Sequence, residues 1–598
     1  MSRRTESVIL LVILVVAFWI RVWGIRWGLP HPYHPDEGTI LFHAMGFGTG
    51  DLNPHWFRWP SLLMYVMFGV YGVYYVVGRI VGTFGAPVDL LRHYLTDPTP
   101  FWLMGRALSI LAGTATVWVT YRIGKRAFGA ASGLAAAAFL AVMFLHVRDS
   151  HYATPDVATT LLASCSLLFA LRAYGTGAMR DIVLSGFFAG LATSAKYPGG
   201  LAGIAVLVAV GLLVRERRTG GVVIVTAVLA GAVGFLLGTP YAVVSGAEFL
   251  RDISTQVTMV SQVGVGQAPA SFWSGLREVA VESLGRGVGY PVLALAVLGA
   301  VWPFARWRRG AKTADASRKI AVAYVAVFLV VMSLLTVKRS TYLTPALTGI
   351  ALLAAGGLSG LARLSTPRRS QSWNPAWVAI AAVVVLASGW PAVRFCTALG
   401  VPDTRTEAKV WFESHVEPGS RVAVETYGPP LNMTSAQLGA LLTYDTTRVS
   451  SWEESQRLLN EMRLDVLGNR APQYEIYGIG WGEGPFELPA ATERPDELAA
   501  TVDSLGIRYV VVSSKAAPTR LMKGAAPPRV PVDDPFYRSL ATIGSRVALF
   551  ASPQPMWVID RGPGRSFHSP VIEIYELPVV EDGAEATASA GDARAEAR

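Results

Sequence analysis

The sequence predicts a polytopic α-helical membrane protein with about eleven transmembrane helices, followed by a C-terminal α/β domain. Three observations carry that expectation. The 598 residues are 52% hydrophobic and only 16% charged, and the mean hydropathy of +0.39 is far above that of a soluble chain. Acidic residues are sparse up to about Ala398 and ordinary beyond it. Basic residues sit in short loops between apolar runs. The positive-inside rule therefore accounts for the net charge of +10 better than nucleic-acid binding does.

The first element is the unbroken apolar run Val8 to Ile20, preceded by Arg3-Arg4. No small-residue cleavage site follows it. Arg21, Trp23, Arg26 and Trp27 follow instead and read as interfacial anchors of a retained helix. Further spanning helices are expected to begin near Phe101, Ala130, Val157, Ile182, Gly199, Gly221, Val288, Lys319, Tyr342 and Trp377. The apolar stretch Pro60 to Phe84 is also long enough to span. If it does, the basic loops at Arg122–Arg126, Arg215–Arg218, Arg306–Lys319 and Arg363–Arg369 leave the side of Arg3-Arg4. The rule thus favours a helix or re-entrant element in the outer interface. With that parity, the loop at Asp36, the segment Arg148 to Asp156, the Lys196-Tyr197 turn, the long loop Ser245 to Arg286, Lys338-Arg339 and the C-terminal domain all face outward. The expected location is the cytoplasmic membrane.

The expected domains are residues 1–398, a transmembrane domain; 399–580, an extracytoplasmic α/β domain; and 581–598, an Ala/Asp/Glu/Gly-rich disordered tail. Asp403 to Glu413 has an amphipathic helical pattern, Arg421–Glu425, Arg508–Ser513 and Val571–Tyr575 are strand-like, and Glu497–Leu505 is helical. Two cysteines, Cys165 and Cys396, supply neither a disulfide framework nor a metal motif. There is no internal repeat, Walker loop or dinucleotide fingerprint.

Three polar groups interrupt the apolar pattern. Asp36-Glu37, after His34-Pro35, is tethered just past the first span. An arbitrary acidic pair is usually a solvated loop or helix cap, and Pro495-Asp496-Glu497 reads that way. A carboxylate held beside low-dielectric lipid, however, suits a base that accepts a proton during transfer to a hydroxyl or amine. Arg148-Asp149-Ser150-His151-Tyr152 to Asp156 puts two acids, an arginine and a histidine in nine residues, more than a turn requires, although Asp156 also suits a helix cap. Lys196-Tyr197 and Lys338-Arg339 to Tyr342 are cationic on the outer side, against the charge bias. They either snorkel to headgroups or hold a phosphate leaving group.

As an ordered set, His34-Pro35-Asp36-Glu37, Ser150-His151-Tyr152 to Asp156, Lys196-Tyr197 and Arg339 to Tyr342-Leu343 with Pro345 resembles polytopic C-type (GT-C) glycosyltransferases. The likeness is to the bacterial branch of the protein O-mannosyltransferase family, which includes the lipid A aminoarabinose transferases. Asp403-Thr404-Arg405 to Trp411 and Val424-Glu425 to Leu431 are similar to the extracytoplasmic domain of bacterial members. The resemblance implies a GT-C-like fold with outer juxtamembrane helices. It also implies inverting transfer of a sugar from a polyprenyl-phosphate donor to a protein, lipid or glycan acceptor in the cell envelope. By it, Asp36 corresponds to the catalytic base, Glu37 to its support and Asp156 to the second acid. Lys196 and Arg339 would hold the donor phosphate, with His34, Arg148, His151, Tyr197, Lys338 and Tyr342 as substrate-binding neighbours. The chain departs from the pattern at Thr154-Pro155, where relatives often place an arginine nearby. Some C-type enzymes use a divalent metal and others none, and one acidic pair without a clear ligand set does not choose between them. The rival expectations are a ligase using a diphosphate-linked glycan and a lipid or solute transporter.

Overall fold

The computed structural model describes residues 1–217, 220–261, 271–301, 311–335, 339–365, 375–448, 453–480, 485–488, 495–514, 535–552 and 568–578. The chain divides into two compact units, the first comprising Met1–Val401 and the second beginning at Pro402. The expected tail, 581–598, lies outside the described residues, as do Lys338 and most of the basic loops after Val301 and Ser365.

The first unit is helical: α1 Arg3–Val22, α2 Glu37–Gly46, α3 Leu62–Ile80, α4 Pro87–Thr96, α5 Thr99–Phe128, α6 Ala130–Val142, α7 Phe144–Asp149, α8 Asp156–Thr176, α9 Met179–Ala195, α10 Gly203–Arg217 and α11 Val222–Gly238. It continues with α12 Tyr241–Val244, α13 Gly246–Ser261, α14 Phe272–Arg277, α15 Arg286–Val288, α16 Tyr290–Val301, α17 Ala311–Leu334, α18 Ala346–Ser365 and α19 Pro375–Leu399. The expected long loop Ser245 to Arg286 is thus largely helical. Ser340–Leu343 is a 3-10 turn, so Tyr342 precedes its spanning helix rather than opening it.

Helices α1, α5, α6 with α7, α8, α9, α10, α11, α16, α17, α18 and α19 alternate between two ends of a bundle, and polar contacts identify both. At one end Lys125 meets Glu6 at 2.6 Å, Arg126 donates to the Leu171 carbonyl and Tyr174 donates to Glu216. At the same end, Ser132 bonds Ser359 and Arg318 donates to the Ala300 carbonyl. At the other end Arg21 donates to Ser150, Arg106 to Glu37, and Ser194 pairs with Thr239. Among the described residues, seven helices are long and apolar enough to cross a membrane, or eight with one bent pair counted. Ala130–Val142, Val222–Gly238 and Ala346–Ala362, in α6, α11 and α18, are shorter apolar segments, and α11 packs closely along α9, which is equally short. The chain is a multi-pass membrane protein.

Helix α3 also meets the length and hydropathy requirement. Its outward residues Val66, Val73, Val76, Val77 and Ile80 are apolar, without the charged face of an ordinary interfacial helix. Its neighbours nonetheless fix which end it occupies. Ser61, just before α3, donates to the Gly238 carbonyl at the α11 terminus, and Tyr71 and Tyr74 pack on Phe101 in the first turn of α5. Arg106, two turns into α5, holds Glu37. A crossing by α3 would separate Arg106 from Glu37 by roughly the 30 Å hydrocarbon thickness. Both termini of the α2–α4 segment therefore lie at one end of the bundle.

The second unit opens on α20 Thr404–His415, capped by Asp403, and builds a six-stranded sheet. Its strands are β1 Arg421–Glu425, β2 Glu475–Ile479, β3 Glu487–Leu488, β4 Tyr509–Ser513, β5 Ser545–Phe550 and β6 Ile572–Glu576, in the order β3-β2-β1-β4-β6-β5. The first four are parallel and β6 joins β4 and β5 antiparallel. Tyr509-Val-Val-Val-Ser513 is buried throughout, as a central strand covered on both faces must be. Val510 and Val512 pack with Leu498, Val502 and Leu540; Tyr509 and Val511 pack with Phe412, Ile572 and Ile574.

Candidate active site

The polar end of the bundle gathers most of the residues singled out in the sequence. Asp36 is the N-cap of α2, yet its side chain makes no capping bond. It is half-buried and faces Arg339, whose Nη1 lies 3.7 Å from Oδ2. Its backbone N–H donates to His34 Nδ1 at 3.3 Å, and the His34 ring stacks on Tyr152 with centroids 4.2 Å apart. Burial pushes the Asp36 carboxyl above its ordinary value, while Lys196 and Arg339 pull in the opposite direction.

Asp156 opens α8 and is buried; its Oδ1 accepts from Lys196 Nζ at 2.6 Å. The lysine is flanked by aromatic faces, with its ammonium 5.6 Å from the Trp59 ring centroid and 5.1 Å from that of Tyr342. Burial alone would depress this ammonium, but Asp156 beside it holds it above its ordinary value, so Lys196 stays charged. Two acids and two cations thus share one end of the bundle, with Asp36 and Arg339 the more exposed pair.

Other expected site residues at this end are taken up by structural partners. Glu37 is fully buried: Arg106 Nε and Nη2 donate to its two oxygens at 2.8 Å each, and the Ala153 N–H adds a third bond at 2.9 Å. Arg106 also donates to the Ile25 and Trp27 carbonyls. Glu37 therefore ties the end of α1, the start of α2 and the 150–155 turn together, and offers no face to a substrate. His151 is buried with its ring nitrogens 2.8 and 3.0 Å from the Val147 and Trp23 carbonyls, and burial pushes its imidazole down to about 4. Tyr197 donates its hydroxyl to the Phe57 carbonyl. Arg148 turns to Asp149, with Nη2 at 2.7 Å from Oδ1. Lys338 lies outside the described residues. Arg21 and Trp27, expected as interfacial anchors, are buried instead: Arg21 bonds Ser150, His146 and the Ala17 and Ala141 carbonyls. The trajectory into the 150–155 turn brings polar partners to α1 where lipid was expected.

Sequence reasoning missed Arg106, Trp59 and Thr344, and it singled out Asp149 only as one acid of the Arg148 to Asp156 cluster, without its partner Thr344. Arg106 carried a usable signal, a lone arginine inside an apolar run, which requires a buried partner. Among the described residues, no three His, Cys, Asp or Glu side chains come together as a metal site.

A family model described as dolichyl-phosphate-mannose-protein mannosyltransferase matches residues 102–243. The family resemblance read from the motifs thus recurs independently over α5 to α11 and the following turn. No curated protein is matched by the sequence. Among solved structures, ArnT from Cupriavidus metallidurans is similar at 14% identity and a TM-score of 0.48, over 96% of this chain and 98% of that one. The Archaeoglobus fulgidus oligosaccharyltransferase is similar at 13% identity and 0.46, over 86% and 70%. The Pmt1–Pmt2 protein O-mannosyltransferase complex of S. cerevisiae is similar at 19% identity and 0.29, over 46% and 37%.

Proposed function

We propose that this chain is an integral-membrane glycosyltransferase that moves a sugar from a polyprenyl-phosphate carrier to an acceptor on the outer face of the cytoplasmic membrane, with inversion. One observation carries the reading: a half-exposed carboxylate, Asp36, stands beside Arg339 at an end of the bundle where Lys196 is also held charged. The family match over residues 102–243 supports the reaction class.

In this reading the donor phosphate is held by Arg339 and Lys196, and its polyprenyl chain lies among the helices. Asp36 accepts the proton of the acceptor hydroxyl or amine as that atom bonds to the anomeric carbon. The bond from the anomeric carbon to the phosphate oxygen breaks with its electron pair, leaving a polyprenyl phosphate whose charge the cations stabilise. In-line attack inverts the centre. The aromatic faces of Trp59 and Tyr342 restrict where Lys196 can point, so the phosphate meets a preorganised charge. Asp156 serves as the counterion that keeps Lys196 protonated and in place. By the parity of the eleven traversing helices, the second unit also faces outward.

Incubating purified protein with labelled polyprenyl-phosphate sugars and envelope extracts tests the proposal. Transfer of label with release of polyprenyl phosphate supports it. Transfer only from diphosphate-linked glycans would favour the ligase, and movement of intact donor across vesicles without bond cleavage would favour a transporter. The charges gather at one end rather than along a path through the bundle, which speaks against transport.

A further inference from the structure

We propose that the buried pair Arg148–Asp149 is a positioning device that sets the turn carrying Arg339 and Tyr342, and through it the affinity for the donor phosphate. This rests on the glycosyltransferase reading above.

Asp149 is the last residue of α7 and is only 2% exposed. Its Oδ1 receives Arg148 Nε at 2.8 Å and Nη2 at 2.7 Å. Its Oδ2 accepts from Thr344 Oγ1 at 2.7 Å, and Arg148 Nη2 donates to Ser340 Oγ at 3.2 Å. Ser340 and Thr344 bracket the 3-10 turn Ser340–Leu343. Arg339 immediately precedes that turn and faces Asp36; Tyr342 lies inside it, under the Lys196 ammonium. The pair therefore fastens both ends of a short segment from which Arg339 and Tyr342 address the site.

A buried ion pair is a poor source of stability, because desolvation offsets its attraction and an apolar pair of the same volume would serve as well. What it supplies is direction. Carboxylate acceptors and a guanidinium fork fix the hydrogen-bonded hydroxyls in angle as well as distance. Thr344 Oγ1 also lies 2.8 Å from the Thr341 carbonyl and has a single proton to give. The Asp149 charge draws that proton outward and keeps the turn fastened to α7.

Asp149→Asn, Thr344→Val and Thr344→Ser are compared with the parent and with Arg339→Ala. The measurements are affinity for sugar-free undecaprenyl phosphate in detergent, donor KM, kcat and thermal midpoint. Asp149→Asn and Thr344→Val should each weaken phosphate affinity and raise donor KM by about tenfold, with kcat within about threefold of the parent. Thr344→Ser, which keeps the hydroxyl, should restore both. If Arg339→Ala weakens affinity while Asp149→Asn and Thr344→Val do not, the positioning role is wrong and the functional reading survives. If Arg339→Ala itself leaves affinity unchanged, the reading of the cations fails and takes the inference with it. A fall in kcat and thermal midpoint that Thr344→Ser does not restore would reduce the pair to a fold element and overturn the proposal.

Discussion

Asp36 and Glu37 are adjacent in sequence and opposite in circumstance, so their substitutions separate chemistry from scaffolding. Asp36→Asn keeps the size of the side chain and removes the base; turnover should fall by about 10²-fold or more with an unchanged thermal midpoint. Glu37→Gln leaves Arg106 buried without its counterion and should cost about 3–5 kcal/mol of stability, read as a lowered unfolding midpoint. Equal losses of turnover at equal stability in both would remove Asp36 from the role of base. The same site predicts a pH response. Asp36 must be ionised to act, and burial already holds its pKa above the ordinary carboxyl value while Arg339 opposes that shift. The acidic limb of kcat/KM should therefore lie above the usual carboxyl range. Arg339→Gln, by removing an opposing cation, should move the limb to higher pH. A limb that stays put or moves lower in the variant would show that Asp36 does not govern it.

At the scale of elements, helix pairs in the bundle are set by how closely backbones approach. Gly190 of α9 is the clearest case: a Cβ there would lie 1.9 Å from the Gly231 carbonyl oxygen of α11. Gly190→Ala should destabilise the detergent-solubilised protein by about 1–3 kcal/mol, because two backbones must separate. Gly211→Ala on α10, where an added Cβ meets nothing within 4 Å, should be neutral or slightly stabilising. Equal unfolding midpoints for the two variants would refute the close approach. This contact also shows what the sequence conceals. Gly186 and Gly190 stand four residues apart in the sequence, which says nothing of the α11 backbone they meet. The same holds for the site. Asp36, Lys196, Arg339 and Tyr342 stood out because polar groups on the outer side broke the apolar pattern. Arg106 and Thr344 did not, because their meaning lies in partners 69 and 195 residues away, and Asp149 stood out without the partner that gives it its role. Strands Arg421–Glu425 and Tyr509–Ser513 were legible from β-branched runs, whereas the two-residue β3 was too short to leave a pattern.

At the scale of the molecule, sidedness is what makes the site usable, and it turns on α3. By length and apolar composition this helix can cross a membrane. Yet Ser61 before it meets the end of α11, its midpoint packs on the first turn of α5, and Arg106 of α5 grips Glu37. One end of the bundle holds all of these, so α3 returns the chain to the side from which it started. If Arg3-Arg4 is inside, as the positive-inside rule prefers, Asp36 and Lys196 are expected to face out and Lys125 and Arg126 to face in. Single cysteines at positions 36, 261 and 435 should label with an impermeant thiol reagent on intact cells, and those at 126 and 309 only after permeabilisation. The native thiols add little background, since Cys396 is buried and Cys165 lies within α8. Labelling at 36 together with 126 on intact cells would mean that α3 crosses. The Glu37–Arg106 pair would then be untenable, and with it the gathering of acids and cations from which the transferase reading is built.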